Sequence, residues 1–154
     1  RLFPLDPRLR SRGSGWQAGE RQQPVVTTDL FFTLLSTAGI APSENQPADG
    51  LDLSPVLKNG TTKLSREALF WHYPHYYETT TPVSAVRSGD WKLLEYFEDG
   101  HRELYDLRDD PTESRDLATA NSDKADELAK WLTQWRTSVG AKLPQPNPQY
   151  RGKP

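Results

Sequence analysis

Between about Asp123 and Val139, apolar residues recur at three- and four-residue steps: Ala125, Leu128, Leu132, Trp135 and Val139 make one stripe. The spacing predicts an amphipathic helix, with Asp123, Asp126 and Glu127 near its N-terminus, Arg136 near its end and Gly140 closing it. Upstream the period changes. Ala68–Tyr73, Val83–Arg87, Trp91–Phe97 and Arg102–Leu107 are short β-rich runs, joined in part by Ser88-Gly89-Asp90 and Asp99-Gly100. Both connections are hairpin signals, so the runs predict an antiparallel meander with the helix on one face. A second helix of about ten residues is expected from Thr28 or Asp29, as N-cap, to Gly39 just past its end. Leu30, Phe31, Phe32, Leu34, Leu35 and Ala38 make it apolar nearly all round, and such a helix needs cover on several sides. Ser54-Pro55 reads as a cap followed by Pro at the first helical position, with Asn59-Gly60 ending that turn. Asp110-Pro111-Thr112-Glu113 reads as another capped turn, with Glu at the third position. The fold class is α+β: about four antiparallel strands packed by a C-terminal helix, plus one helix that looks borrowed from a larger assembly.

Composition sharpens that impression of incompleteness. The hydrophobic set is only 34% of 154 residues, and 13 Pro and 10 Gly cut the chain into short elements. A net charge of −2 gives no strong electrostatic case for nucleic acid or an anionic membrane as partner. No apolar run approaches the roughly 20 residues of a membrane span, and no signal peptide is visible. With no Cys, this chain has no disulfide, thiolate ligand or cysteine nucleophile. Residues 1–23 are basic and aperiodic and are expected to be an irregular leader. The first residue is Arg rather than Met, which leads us to expect sequence upstream. Pro144 to Tyr150 is too Pro-rich for regular structure and is expected to run extended.

His72 and His75, among Tyr73, Tyr76 and Tyr77, form the one dense cluster of chemistry-bearing side chains. Two His three apart would share a face and could ligate a metal on a helix, but Pro74 between them argues against a helix. Contact with a sugar, through aromatic stacking and imidazole hydrogen bonds, stays open beside plain packing. The acids Asp99, Asp106, Asp109, Asp110 and Glu113 fit turn and cap roles better than paired-carboxylate catalysis. Arg87 and Lys92 flank the first hairpin and could steady an anion, or could be solvated strand charges. No Gly-x-Ser-x-Gly elbow or phosphate-binding Gly-x-x-x-x-Gly-Lys loop occurs.

Four phrases in order carry a resemblance. Thr28-Asp29-Leu-Phe-Phe-Thr-Leu-Leu-Ser-Thr-Ala-Gly39 resembles the Thr-Asp-x-x-Pro-Thr-Leu-Leu-x-x-Ala-Gly segment of the sulfatases, with Phe32 where that family usually has Pro. Asp49-Gly50-Leu-Asp-Leu-Ser-Pro55-Val-Leu57 is similar to its Asp-Gly-x-x-Leu-x-Pro-x-Leu. Ser84-Ala-Val-Arg87-Ser-Gly-Asp-Trp-Lys92-Leu, then Glu103-Leu-Tyr-Asp-Leu107 through Asp110-Pro-Thr-Glu113, resemble its C-terminal hairpin and the turn that follows. Phe70-Trp-His72-Tyr-Pro-His75-Tyr looks most like bacterial members acting on sulfated sugars.

The resemblance implies a large alkaline-phosphatase-like α/β domain followed by a smaller subdomain. Residues 24–65 would end the large domain, 66–143 would be the C-terminal subdomain, and 144–154 an extended tail. It implies sulfate-ester hydrolysis by a parent enzyme that uses calcium and a formylglycine made from Cys or Ser in a Cys/Ser-x-Pro-x-Arg motif. Neither that motif nor the metal-binding segments match any stretch here, so the chain alone is expected to be inactive, with no catalytic or metal-binding residue of its own. The implied partner is the N-terminal catalytic part of the parent, itself expected in the periplasm or outside the cell. His72 and His75 are the candidate substrate-binding residues, at the rim of a site for sulfated carbohydrate. A free-standing carbohydrate-binding module using Trp71, Tyr73, Tyr76 and Tyr77, or a partner-binding module working through Leu30–Leu35, are the competing readings. The over-apolar helix at 29–38 predicts marginal stability. Dye that reports apolar surface should therefore bind the purified chain before it melts; sharp cooperative unfolding without dye binding is the contrary result.

Overall fold

In a computed structural model of the chain, residues 23–43, 45, 49–145 and 147–149 are described. The expected leader, 1–23, lies outside them apart from Gln23, as do residues 150–154 of the expected tail. Among the described residues no helix is long and apolar enough to cross a membrane. The chain divides into two compact units, the boundary falling between Arg66 and Glu67.

The first unit holds two short helices, α1 (Asp29–Thr37) and α2 (Ser54–Lys58). α1 stops as expected: Gly39 takes a left-handed φ of 70°, and the N–H of Ile40 reaches back to the carbonyl of Leu35 at 2.9 Å. Its start differs. Thr28 makes no side-chain cap, and Asp29 is the first helical residue rather than a cap. The Asp29 carboxylate, fully buried, is instead the hub of the unit. It accepts the N–H groups of Val26 and Leu51, each at 2.9 Å, and both terminal nitrogens of Arg66. Burial pushes this carboxyl upward, but the Arg66 fork and the two backbone donors outweigh it and hold it below the ordinary value. One turn on, the buried Thr33 hydroxyl donates to the Asp29 carbonyl at 2.7 Å and accepts from the Leu53 N–H at 2.9 Å. Gly50 permits this stitching. A Cβ there would lie 2.2 Å from the Thr28 carbonyl oxygen. The buried face of α1 is thus its polar one, Asp29 and Thr33, while Leu30 and Leu34 are 47% and 67% exposed. In α2, Leu53 is the cap and Ser54 the first helical residue; Asp52 accepts the Ser54 N–H at 2.8 Å.

The second unit is the meander. Strands β1 (Leu69–Tyr73), β2 (Val83–Ser88), β3 (Trp91–Tyr96) and β4 (Arg102–Asp106) pair antiparallel in the order β1-β2-β3-β4. α3 (Ser122–Ser138) follows. The architecture is the α+β arrangement expected. Gly89 and Gly100, at φ 57° and 73°, turn the two tight connections. On one face Val86, Leu93 and Leu104 pack against Ala125, Leu128, Ala129 and Leu132 of α3, and Phe70 stacks on Trp135 at 5.0 Å. The stripe read from sequence differs at its end, where Val139 caps the helix and is 56% exposed.

Alternation places Leu69, Val83, Ala85, Arg87, Lys92, Leu94 and Tyr105 on the other face, and all of these are buried too. Beyond β4 the expected capping box does not form. Glu113 sits at φ 56° and its carboxylate meets Lys92 Nζ at 2.6 Å rather than returning to its own turn. Asp110 does cap: it accepts the N–H groups of Ser114 at 2.7 Å and Arg115 at 2.8 Å and the hydroxyls of Thr112 and Ser114.

Those bonds, the Arg115 N–H first, hold the Asp110 carboxyl at about 2. A carboxyl held low in the folded state adds stability above its unfolded value near 3.8, and that stability drains away as pH falls toward 2. Urea titrations at pH 5, 4, 3 and 2.5 should show a smaller acid loss for Asp110→Asn than for the natural chain; equal slopes would assign the loss elsewhere.

Candidate functional site

β1 carries the His-x-x-His phrase out of the sheet. His72 is the penultimate strand residue and pairs across β2 with Ser84, so its ring points to the α3 side with Phe70. There it is fully engaged. Nδ1 lies 2.7 Å from the Ser84 hydroxyl, and Nε2 lies 2.9 Å from the Lys142 carbonyl just past α3. A carbonyl only accepts, so Nε2 carries a proton, and in that tautomer Nδ1 accepts the hydrogen bond donated by the Ser84 hydroxyl. The ring also meets Phe97 edge to face at 5.6 Å.

Pro74 ends the strand, and His75 stands in the exposed loop beyond it. Its ring packs edge-on against Tyr73 at 5.7 Å, and Tyr73 meets Tyr77 at 6.4 Å in the same manner. The loop folds back through paired backbone bonds between Tyr77 and Thr80, at 3.0 and 3.3 Å. Tyr76 donates its hydroxyl to Glu98 at 2.8 Å. Tyr76 and Tyr77 remain 69% and 63% exposed. The two His thus differ in kind: His72 holds two parts of the chain together, while His75 joins a wet aromatic surface.

The acids offer no alternative centre. Among the described residues no three His, Asp or Glu side chains converge as a metal would require. Asp99 bonds the N–H and ring of His101, Asp106 the N–H of Arg108, and Asp116 the N–H groups of Leu104 and Ala118. The sequence has no Cys and no Ser-x-Pro-x-Arg from which a formylglycine could be made, and among the described residues the donor set does not fit calcium. Arg87 and Lys92, by contrast, are not the solvated strand charges one reading expected. They are 8% and 1% exposed. Sequence gave no signal for that, because what buries a strand's second face is not written in its own alternation.

Comparison with known proteins places this geometry. The family described as N-sulphoglucosamine sulphohydrolase, C-terminal, matches residues 13–138. The chain belongs to this sulfatase family. Among relatives, a Delta 4,5-hexuronate-2-O-sulfatase of Bacteroides thetaiotaomicron is 34% identical over 128 residues, covering 81% of this chain and 25% of the relative. Human arylsulfatase A is 35% identical over 138 residues, covering 75% of this chain and 26% of that protein. A solved 2-O GAG sulfatase superposes with a TM-score of 0.62 at 31% identity, over 73% of this chain and 25% of the other. This sulfatase C-terminal domain thus spans about a quarter of the length of the curated relatives it matches.

The His72 bridge is directly testable. His72→Leu should speed amide hydrogen exchange across residues 141–145 and leave the α3 amides protected. Unchanged exchange in that segment would mean that it is held by something else.

Proposed function

We propose that this chain is the C-terminal part of a sulfatase that hydrolyses sulfate esters of carbohydrates, and that it works with an N-terminal catalytic part rather than alone. The observation that carries the reading is the family match across most of the chain, in register with relatives four times as long, one of which is a hexuronate sulfatase. The formylglycine and calcium of sulfatase chemistry belong, in this reading, to the other part. Calcium would polarise the sulfate, and formylglycine would supply the nucleophile.

The domain's own contribution is recognition at the rim. His75 offers a ring N–H or an acceptor to a sugar hydroxyl, and Tyr76 and Tyr77 offer ring faces to the apolar side of a pyranose. His72 contributes less directly. Both its nitrogens are occupied within the chain, so it fixes the end of β1 from which His75 projects, and its ring reaches substrate only by giving up one of those bonds. The exposed tyrosines also favour the second reading, a carbohydrate-binding module that acts by itself. Affinity of the isolated chain separates the two.

NMR titration of the chain with sulfated and unsulfated uronic-acid disaccharides should give weak, sulfate-dependent shifts confined to residues 73–77, and no release of inorganic sulfate. Loss of one hydrogen bond of about 1 kcal/mol in His75→Ala should weaken binding about fivefold. Sulfate release would overturn the inactivity, and unaltered binding by His75→Ala would overturn the rim site. Micromolar binding without upstream sequence would favour the module.

A further inference from the structure

Around the β2–β3 turn, one charge is left over. Arg87 lies on the sheet face opposite α3, in register with Leu69 and Lys92, and is 8% exposed. Its Nε donates to the Gly89 carbonyl at 3.1 Å. The two terminal nitrogens, with four of the five donors, bond nothing among the described residues, yet they are not sealed away from the surface. The acids whose charges act on it, and those of the turn beyond β4, have other partners. Glu113 holds Lys92, Asp90 holds Arg108, Asp106 accepts from the Arg108 backbone and Asp110 serves its own turn.

Arg136 shows the contrast, since Glu95 meets it at 2.7 Å and the Phe97 ring lies beneath it. Burial draws the Arg87 guanidinium below its ordinary pKa, and the charges of Asp90 and Glu113 pull back only in part. A guanidinium drawn largely out of bulk water and given a single neutral acceptor carries a desolvation cost that an external acceptor reaching its exposed edge would offset.

We propose that the free edge of Arg87 is an oxyanion-binding point, built to receive a carboxylate or a sulfate group from outside this chain in a bidentate bond. A planar fork with two parallel donors matches either group, and a lysine could not replace it. The two oxyanions differ in source: a carboxylate is what an acidic side chain of an adjoining polypeptide brings, a sulfate what an esterified sugar brings. The site lies at the Leu69 end of β1, whereas Tyr73 and His75 are at the other end, so the inference stands without the rim reading.

The test is thermal melting of the whole 154-residue chain in sodium chloride, acetate and sulfate at matched ionic strength and pH 7, beside Arg87→Met and Arg87→Lys. In chloride Arg87→Met should melt no lower than the natural chain, because a largely desolvated charge without a direct ionic partner has been replaced by apolar volume. Acetate or sulfate should raise the natural chain's Tm by about 2–4 °C more than it raises either variant's. Whichever anion gives the larger excess identifies the source. Sulfate stabilises proteins generally, so only the excess over the variants counts. A marked fall in Tm for Arg87→Met in chloride, or anion gains equal in all three proteins, overturns the proposal. Should Arg87→Met fail to fold, Arg87→Lys carries the same comparison of anions.

Discussion

A four-stranded sheet buried on both faces is the constraint from which the rest of the larger unit follows. Val83, Ser84, Ala85 and Val86 are consecutive, point alternately to opposite sides, and are all fully buried. One side meets α3 through a mostly apolar core, with Ser84 and His72 at its edge, so most of its stability is ordinary hydrophobic packing. The other side carries Arg87 and Lys92, and charged groups without water need partners within reach. Lys92 has one only because the chain after β4 turns through a left-handed residue and delivers the Glu113 carboxylate to it. A backbone conformation that looks unfavourable at Glu113 alone is offset by the charge it neutralises.

The smaller unit solves a related problem at Asp29. A buried carboxylate ties together three stretches distant in sequence: the approach to α1, the segment after Gly50, and Arg66. Here a buried polar network works beside the apolar burial of Leu53, Val56 and Leu57. The helix turns its polar side inward and leaves Leu30 and Leu34 in the open.

Local signals made most of the meander readable. Turn glycines, alternation and the stripe of α3 placed all four strands and the helix within a residue or two of where they stand. The failures share a cause. Glu113 was assigned to a capping box because local spacing allowed it, and Arg87 and Lys92 were open to reading as solvated because strands often have a wet face. Each outcome depends on a contact or a burial that no short window contains. Val139 is the reverse case, a residue with the right period that lies where the helix has already ended. His72 and His75 stand in one dense phrase of the sequence, and Pro74 argues that their rings need not converge; the contact of His72 with Lys142, seventy residues on, lies beyond any local window.

The sheet's order repeats the order of the chain, each strand lying beside the one made just before it. Every pairing therefore closes a loop of modest length, so little chain entropy is lost before contacts form. Synthesis from the N-terminus would present β1 to β2, β2 to β3 and β3 to β4 in turn, and α3 last, as the cover for one face. A sheet of this topology can fold quickly, without waiting for any strand to be recovered from far away in sequence.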